Sequence, residues 1–238
     1  LDKFLANMGI GTRTEVKQYL KKGQVTVNDQ LQKSPKLQIN PEEDVICVNG
    51  EQVTYTDYVY LMLNKPQDVI SATEDTQHRT VIELIPEYQH LSLFPVGRLD
   101  RDTEGLLLIT NDGQFNHDIM SPGKHVAKTY AVTSKRPITD EDIQRFSEGI
   151  ELSDGEAQPA QLEKSDTDLK SFVTLYEGRY HQVKRMFHAI DNEVTALKRV
   201  RIGQLELDPD LEPGAYRHLT DQDLSLIHIS EPTRLGMI

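Results

Sequence analysis

One cysteine, Cys47, stands in a chain of 238 residues. It has no partner for an internal disulfide, so a disulfide-stapled scaffold is excluded. Within "DVICVNG" it lies among β-branched residues, which fits a buried strand position better than a nucleophile. No apolar run approaches the ~20 residues of a membrane helix; residues 59–63 and 106–109 are among the longest. No signal-peptide pattern precedes Asp2 and Lys3, and the expected compartment is the cytoplasm. There is no Gly-rich nucleotide loop, no paired cysteines, no metal-spaced histidine cluster, no internal repeat and no low-complexity tract. A protein without a metal, a cofactor or a membrane anchor is expected. The 37% hydrophobic and 27% charged residues suit a globular chain with a sizeable core.

Positive charge is also scarce. Lys and Arg number 26 against 38 Asp and Glu, a net −12 that argues against a nucleic-acid partner. The average hides a polarity. Residues 1–36 hold seven basic side chains (Lys3, Arg13, Lys17, Lys21, Lys22, Lys33, Lys36) against three acids, a net +4 that leaves −16 for the rest. A basic head precedes an acidic body.

In "GTRTEVKQYLKKGQVTVNDQ" the spacing predicts helix, turn and strand. Thr12 and Glu15 have capping-box spacing. Val16, Tyr19 and Leu20 form an apolar stripe, with Arg13, Lys17 and Lys21 beside it at every fourth residue, and Gly23 stops the helix. A stripe of this kind is either a solvated face or a phosphate-binding one; the lack of balancing acids nearby favours phosphate. With "LDKFLANMGI" ahead of it, the first fifty residues or so resemble the small RNA-binding domain named after ribosomal protein S-four. That resemblance implies RNA contacts from Lys3, Arg13, Lys17, Lys21 and Lys22.

The expected organisation is an RNA-binding domain over 1–53, a linker over 54–58, a catalytic domain over 59–224, and a vector-derived or disordered tail over 225–238. In the body, "YVYLMLNKP", "GLLLITN", "KTYAVTS" and "KSFVTLYEG" predict strands, while "TDEDIQRFSEGI" and "YHQVKRMFHAI" predict helices. Strands and helices do not strictly alternate. The expected class is therefore α+β, a small helix/strand domain followed by a larger one on a mostly antiparallel mixed sheet.

The stretch "GRLDRDTEGLLLITNDG" (97–113) concentrates the acids that matter. Asp100, Asp102, Glu104 and Asn111 sit at positions one, three, five and twelve of a calcium-loop pattern, with Gly105 at its turn. The pattern fails at its end. Asn111 cannot supply the closing bidentate carboxylate, and Gly105 is followed by an apolar strand run rather than a loop entering a helix. A carboxylate-pair glycosidase fits poorly too, because these acids are neighbours on one turn rather than partners across a sugar.

The whole stretch is similar to the signature of the RsuA-type rRNA pseudouridine synthases. "LNKP" (63–66), "KTYAV" (128–132) and "EGRYHQVKRMF" (177–187) follow the family's other motifs in order, and the similarity runs from about residue 60 to 220. It implies that Asp100 is the catalytic carboxylate, that Tyr130 packs on the target base, and that Lys184 is the basic partner of Asp100, with Arg185 as a second cation. Asp68 departs from the family's usual Gly, and a left-handed backbone is expected there, which Asp tolerates.

Uridine isomerisation breaks the bond from C1′ to the uracil nitrogen and rejoins the base through carbon. It needs no redox step and no external group. One carboxylate must act at the ribose, either as a nucleophile at C1′ or as a base at C2′. In a water-excluding pocket it needs a cation beside it. On "YHQVKRMFHAI", Val183, Phe187 and Ile190 make the apolar face and His181, Lys184 and His188 the other. Lys184 is therefore the expected partner, and an ordinary surface lysine is the alternative. Arg98 is expected near the flipped nucleotide or, alternatively, paired with Asp102. The expected partner is ribosomal RNA or a pre-ribosomal particle, and the expected state a monomer. The "RYHQVKRMF" wording resembles the small-subunit-rRNA branch more than the large-subunit one. The alternatives are a large-subunit enzyme and a non-catalytic RNA-binding protein of the same fold.

Overall fold

The computed structural model describes residues 1–55 and 57–227. The chain divides into two compact units. Residues 1–59 group with 85–93, and residues 60–84 group with the chain from Phe94 onward.

The first unit begins with helices α1 (Asp2–Asn7) and α2 (Arg13–Lys21). The capping box at the start of α2 is present. Glu15 N–H donates to Thr12 Oγ1 and Thr12 N–H to Glu15 Oε2. Gly23, at φ +70, takes the chain out of the helix through a backbone that other residues rarely adopt. Strands β1 (Val25–Val27), β2 (Gln30–Leu31), β3 (Ile46–Val48) and β4 (Glu51–Gln52) form an antiparallel sheet in the order β2-β1-β3-β4. Val16 and Leu20 bury the apolar stripe of α2 against Leu5, Val25 and Ile46. Cys47 is in a strand, as expected, but half-buried. Residues 85–93 carry no helical or strand periodicity, so their grouping with this unit was not visible in the sequence.

The second unit is built on a nine-stranded sheet. Its strands are β5 (Tyr60–Lys65), β6 (Phe94–Val96), β7 (Glu104–Thr110), β8 (Lys128–Ser134), a β9–β10 hairpin apart from it (Glu151–Leu152, Gly155–Glu156), β11 (Gln161–Lys164), β12 (Lys170–Leu175), β13 (Val194–Ile202), β14 (Leu205–Glu206) and β15 (Tyr216–His218). The order is β11-β12-β8-β13-β7-β5-β15, with β14 beside β13 and β6 beside β7. Every pairing is antiparallel except β13 with β7. The class is α+β on a mixed sheet, as the patterning predicted.

Among the described residues four α-helices complete the unit: α3 (Gly113–Met120), α4 (Asp140–Glu148), α5 (Gln182–Ala189) and α6 (Asp221–Ile227). One core joins α4 and α5 to β8, β11, β12 and β13. There Phe146 and Phe187 meet edge to face at 5.6 Å, an arrangement worth ~0.5–1.5 kcal/mol beyond area burial. A second core lies among β5–β7, α3 and α6. Helix α6 runs to Ile227, which is buried, and so reaches three residues into the stretch expected to be a tail. The remainder of that stretch, 228–238, lies outside the described residues. Among the described residues no helix is long and apolar enough to cross a membrane.

Candidate active site

Residues 97–103 connect β6 to β7 and carry Arg98, Asp100 and Asp102. The loop is fastened from beneath by Lys65, the last residue of β5. Lys65 is fully buried, and its ammonium donates to the carbonyls of Thr103 (2.8 Å), Pro66 (3.0 Å) and Arg101 (3.3 Å). Burial lowers its pKa to about 8, against the pull of the nearby carboxylates of Asp102, Asp100, Glu104 and Asp68. Ser71 Oγ donates to Leu99 O at 2.9 Å and accepts from Leu99 N–H at 3.0 Å. Asp68 N–H donates to Arg101 O at 3.0 Å, and Asp68 adopts φ +67, the left-handed backbone expected of it.

Beyond the loop, Gly105 faces Arg199 where β7 and β13 run parallel. At φ +106, with the Arg199 backbone in the space a Cβ would take, only glycine lets the two strands meet there. Glu104 to Thr110 are strand, so the second half of the calcium-loop pattern is extended chain.

Asp100 is therefore held from the backbone outward. Its carboxylate, 31% exposed, has a nitrogen-bearing side chain at each oxygen. Lys184 Nζ lies 3.2 Å from Oδ2 and His181 Nε2 lies 3.3 Å from Oδ1. Both come from the start of α5, where His181 is the N-cap at φ +48. Lys184 also reaches Asp102 Oδ1, at 2.6 Å. Burial works against the charge on Lys184, but the bonds to Asp102 and Asp100 outweigh it and hold its pKa above the ordinary lysine value. The bond from Lys184 in turn holds the Asp102 carboxyl below its usual range. Buried Gln182 steadies this end of the helix, donating to Glu177 Oε1 at 2.8 Å and accepting from Arg179 N–H at 2.9 Å.

Asp100 opens onto a cavity of about 670 Å³, lined also by Arg98, Tyr130, Lys128, Leu197 and Arg199. Tyr130 is half-buried on β8, directly across the ladder from Arg199. Tyr180 is 77% exposed and stacks on His181 with ring centroids 3.8 Å apart.

The structure thus brings together Arg98, Asp100, Tyr130 and Lys184. It does not bring Arg185 to Asp100. That guanidinium holds Asp154 at 2.7 Å and the Tyr180 carbonyl at 2.8 Å. Arg98 is exposed at the cavity, and Asp102, its alternative partner, is taken by Lys184. In the first unit, Lys3, Arg13, Lys17, Lys21 and Lys22 are all exposed. Among the described residues only Arg13 of these five has an ion pair, with Asp2 at 3.1 Å.

Several residues here escaped sequence reasoning. Lys65 sits in "LNKP" and could have been found, since a lysine closing an apolar strand must reach an acceptor. Arg199 and Lys128 could not. Strand β13, which carries Arg199, was not recognised because Lys198, Arg199 and Arg201 interrupt the apolar alternation.

Residues 59–189 match the RNA pseudouridylate synthase family, and residues 1–46 match the S4 domain. The chain is 46% identical over 233 residues to an uncharacterized RNA pseudouridine synthase of Bacillus subtilis (strain 168), covering 96% of this chain and 98% of that protein. It is 44% identical to ribosomal small subunit pseudouridine synthase A of Vibrio cholerae, covering 95% and 98%. Against the protein of the same name from Escherichia coli (strain K12) the identity is 39%, covering 95% and 99%. A solved pseudouridylate synthase superposes with a TM-score of 0.68 at 39% identity, covering 95% of this chain and 98% of that one. A full-length likeness of this depth, over a fold that holds a paired carboxylate beside a nucleotide-sized cavity, places this chain in the RNA pseudouridylate synthase family, as an isomerase that carries an N-terminal S4 domain.

Proposed function

We propose that the protein converts one uridine of small-subunit ribosomal RNA to pseudouridine, with Asp100 as the catalytic carboxylate. The observation that carries this reading is the pairing of Asp100 with Lys184 and His181 at the edge of the cavity lined by Tyr130. The names of the Vibrio and Escherichia relatives support the choice of RNA.

Beside Lys184 and His181, the Asp100 carboxylate acts at the ribose by one of two routes. It attacks C1′ to form an ester, or it takes the C2′ proton to leave a glycal. Either way the electron pair of the C1′–N1 bond departs with the uracil. The base turns on the face of Tyr130, and its C5 attacks C1′ while the carboxylate, or the returning C2′ proton, restores the ribose. Loss of the C5 proton and uptake of one at N1 complete the product, so that no net proton is gained or lost. The uridine must first leave its stack, and Arg98 at the cavity is placed to contact the backbone of the extruded nucleotide. The exposed basic residues of α2 contact phosphates and position the RNA without reading its sequence. A monomer acting in the cytoplasm on rRNA or a pre-ribosomal particle fits this assignment.

The test is a map of pseudouridines in rRNA from a strain lacking the gene, complemented with wild type or with Asp100→Asn. One small-subunit site should vanish and return with wild type alone. Loss of a large-subunit site instead would move the substrate to that RNA, and no lost site would overturn the reading.

A further inference from the structure

Among the described residues, two basic side chains lining the same cavity have no counter-charge. Arg199 lies on the central strand β13 and is 2% exposed. Its Nε donates to Leu106 O at 2.8 Å, while its Nη2 is buried and meets no acceptor. A buried donor without a partner is rare and costly, and one whose residue lines a cavity is available to a group that enters it. Lys128, on β8, is 7% exposed, and its ammonium donates to the Val126 carbonyl at 3.2 Å. Among the described residues neither side chain forms an ion pair. Burial, and then the charge of Arg199, lowers the Lys128 pKa to about 8, as expected of cations with no acid between them. Lys65 differs, because three carbonyls hold it and the nearby carboxylates favour its charge.

Their placement says what they face. Arg199 is the register partner of Tyr130, so both side chains leave the same face of the sheet. Lys128 is two residues before Tyr130 and shares that face. The three line one cavity with Asp100. A backbone phosphate is tied to sugar on both sides and stays near the surface. The base is the part of a nucleotide that enters a closed floor edge-first. Uracil is neutral when bound and turns anionic only when the C1′–N1 electron pair moves onto it, spreading over N1, O2 and O4.

We propose that Arg199 Nη2 and Lys128 Nζ form an anion hole for a carbonyl oxygen of the departing uracil. This rests on the uridine-isomerase reading above. The two groups donate hydrogen bonds and transfer no proton. The charge they stabilise leaves again when the electron pair enters the C5–C1′ bond. Because the charge exists only along the reaction path, they raise kcat more than they tighten binding.

The experiment compares single-turnover rates on an rRNA fragment carrying uridine, 2-thiouridine or 4-thiouridine at the target. Wild type is set against Arg199→Met and Lys128→Met, with folding checked by thermal melting. Each variant should lose about a hundredfold or more in rate, the scale of an oxyanion-hole donor, with RNA affinity kept within a few-fold. One of the two sulfur substitutions should slow wild type and cost the variants little more, because the hydrogen bond it weakens is already gone. Lys128→Met leaves the Arg199–Leu106 bond in place and decides the matter if Arg199→Met does not fold. Wild-type rates in a folded Lys128→Met, or sulfur effects that simply add to those of the variant, would overturn the anion hole. Failure of the wild-type enzyme itself to make pseudouridine would overturn the underlying reading instead.

Discussion

Helix α2 and the surroundings of Asp100 both use lysine and arginine, in opposite settings. Lys17, Lys21 and Lys22 are exposed and, among the described residues, form no ion pair. Lys65, Lys128, Lys184 and Arg199 are buried or partly so: Lys65 and Lys184 are held by several acceptors, Lys128 and Arg199 by one carbonyl each. Solvated cations suit phosphates, which present the same charge along any RNA. Buried ones suit a single geometry, because a desolvated charge is tolerable only where its partner stands. One chain of net −12 can thus carry an exposed basic stripe and also hold a paired carboxylate.

The comparison can be broken most severely at Asp100. Asp100→Asn keeps shape and removes the carboxylate that both routes require. Product should disappear while RNA affinity stays within a few-fold, and turnover above a few per cent of wild type, once deamidation is excluded, would reject the assignment. Lys184→Met comes next, with a loss of roughly a hundredfold in turnover, since it strips one cation from Asp100. Arg185→Gln, one residue away but engaged with Asp154, should change turnover only a few-fold. Equal losses from both would mean that the helix end, not the ion pair, matters.

Replacing Lys17, Lys21 and Lys22 together by Gln should leave turnover on saturating RNA intact and weaken binding. A salt titration would read this as a fall of about 0.7 to 0.9 in the slope of log affinity against log salt for each phosphate no longer neutralised. Substitution is cleaner than deleting residues 1–53, because residues 85–93 group with that unit and would be left behind. An unchanged slope would make the stripe a solvated face.

The smallest effect is on stability. Lys128 is charged and buried below its lowered pKa of about 8, so its charge opposes folding there. Lys128→Met should raise the melting temperature by a few degrees at pH 7. In the wild type the folded state releases this proton near pH 8 and the unfolded state only near 10.5, so wild-type stability climbs across that window and the advantage of Met fades. A gain independent of pH would point to packing rather than charge.

By itself the sequence marked many of the elements and a candidate acid. Local patterning marked α2, α4, α5 and four of the nine strands of the large sheet, the Thr12–Glu15 spacing marked a cap, and the wording around Asp100 singled out one acid among several. These are local signals, carried by residues near one another in the chain. Tertiary structure alone decided which cations serve that acid and which serve the cavity. Lys184 and Arg185 are neighbours in sequence, yet the rotation between successive helix positions sends one to Asp100 and the other to Asp154. Arg199 lies 99 residues from Asp100 in sequence, on a strand whose charges disguised it, and reaches the same cavity because β13 runs parallel to β7 at Gly105. Strand pairing at that distance is set by the packing of the whole sheet, and no short stretch of sequence records it.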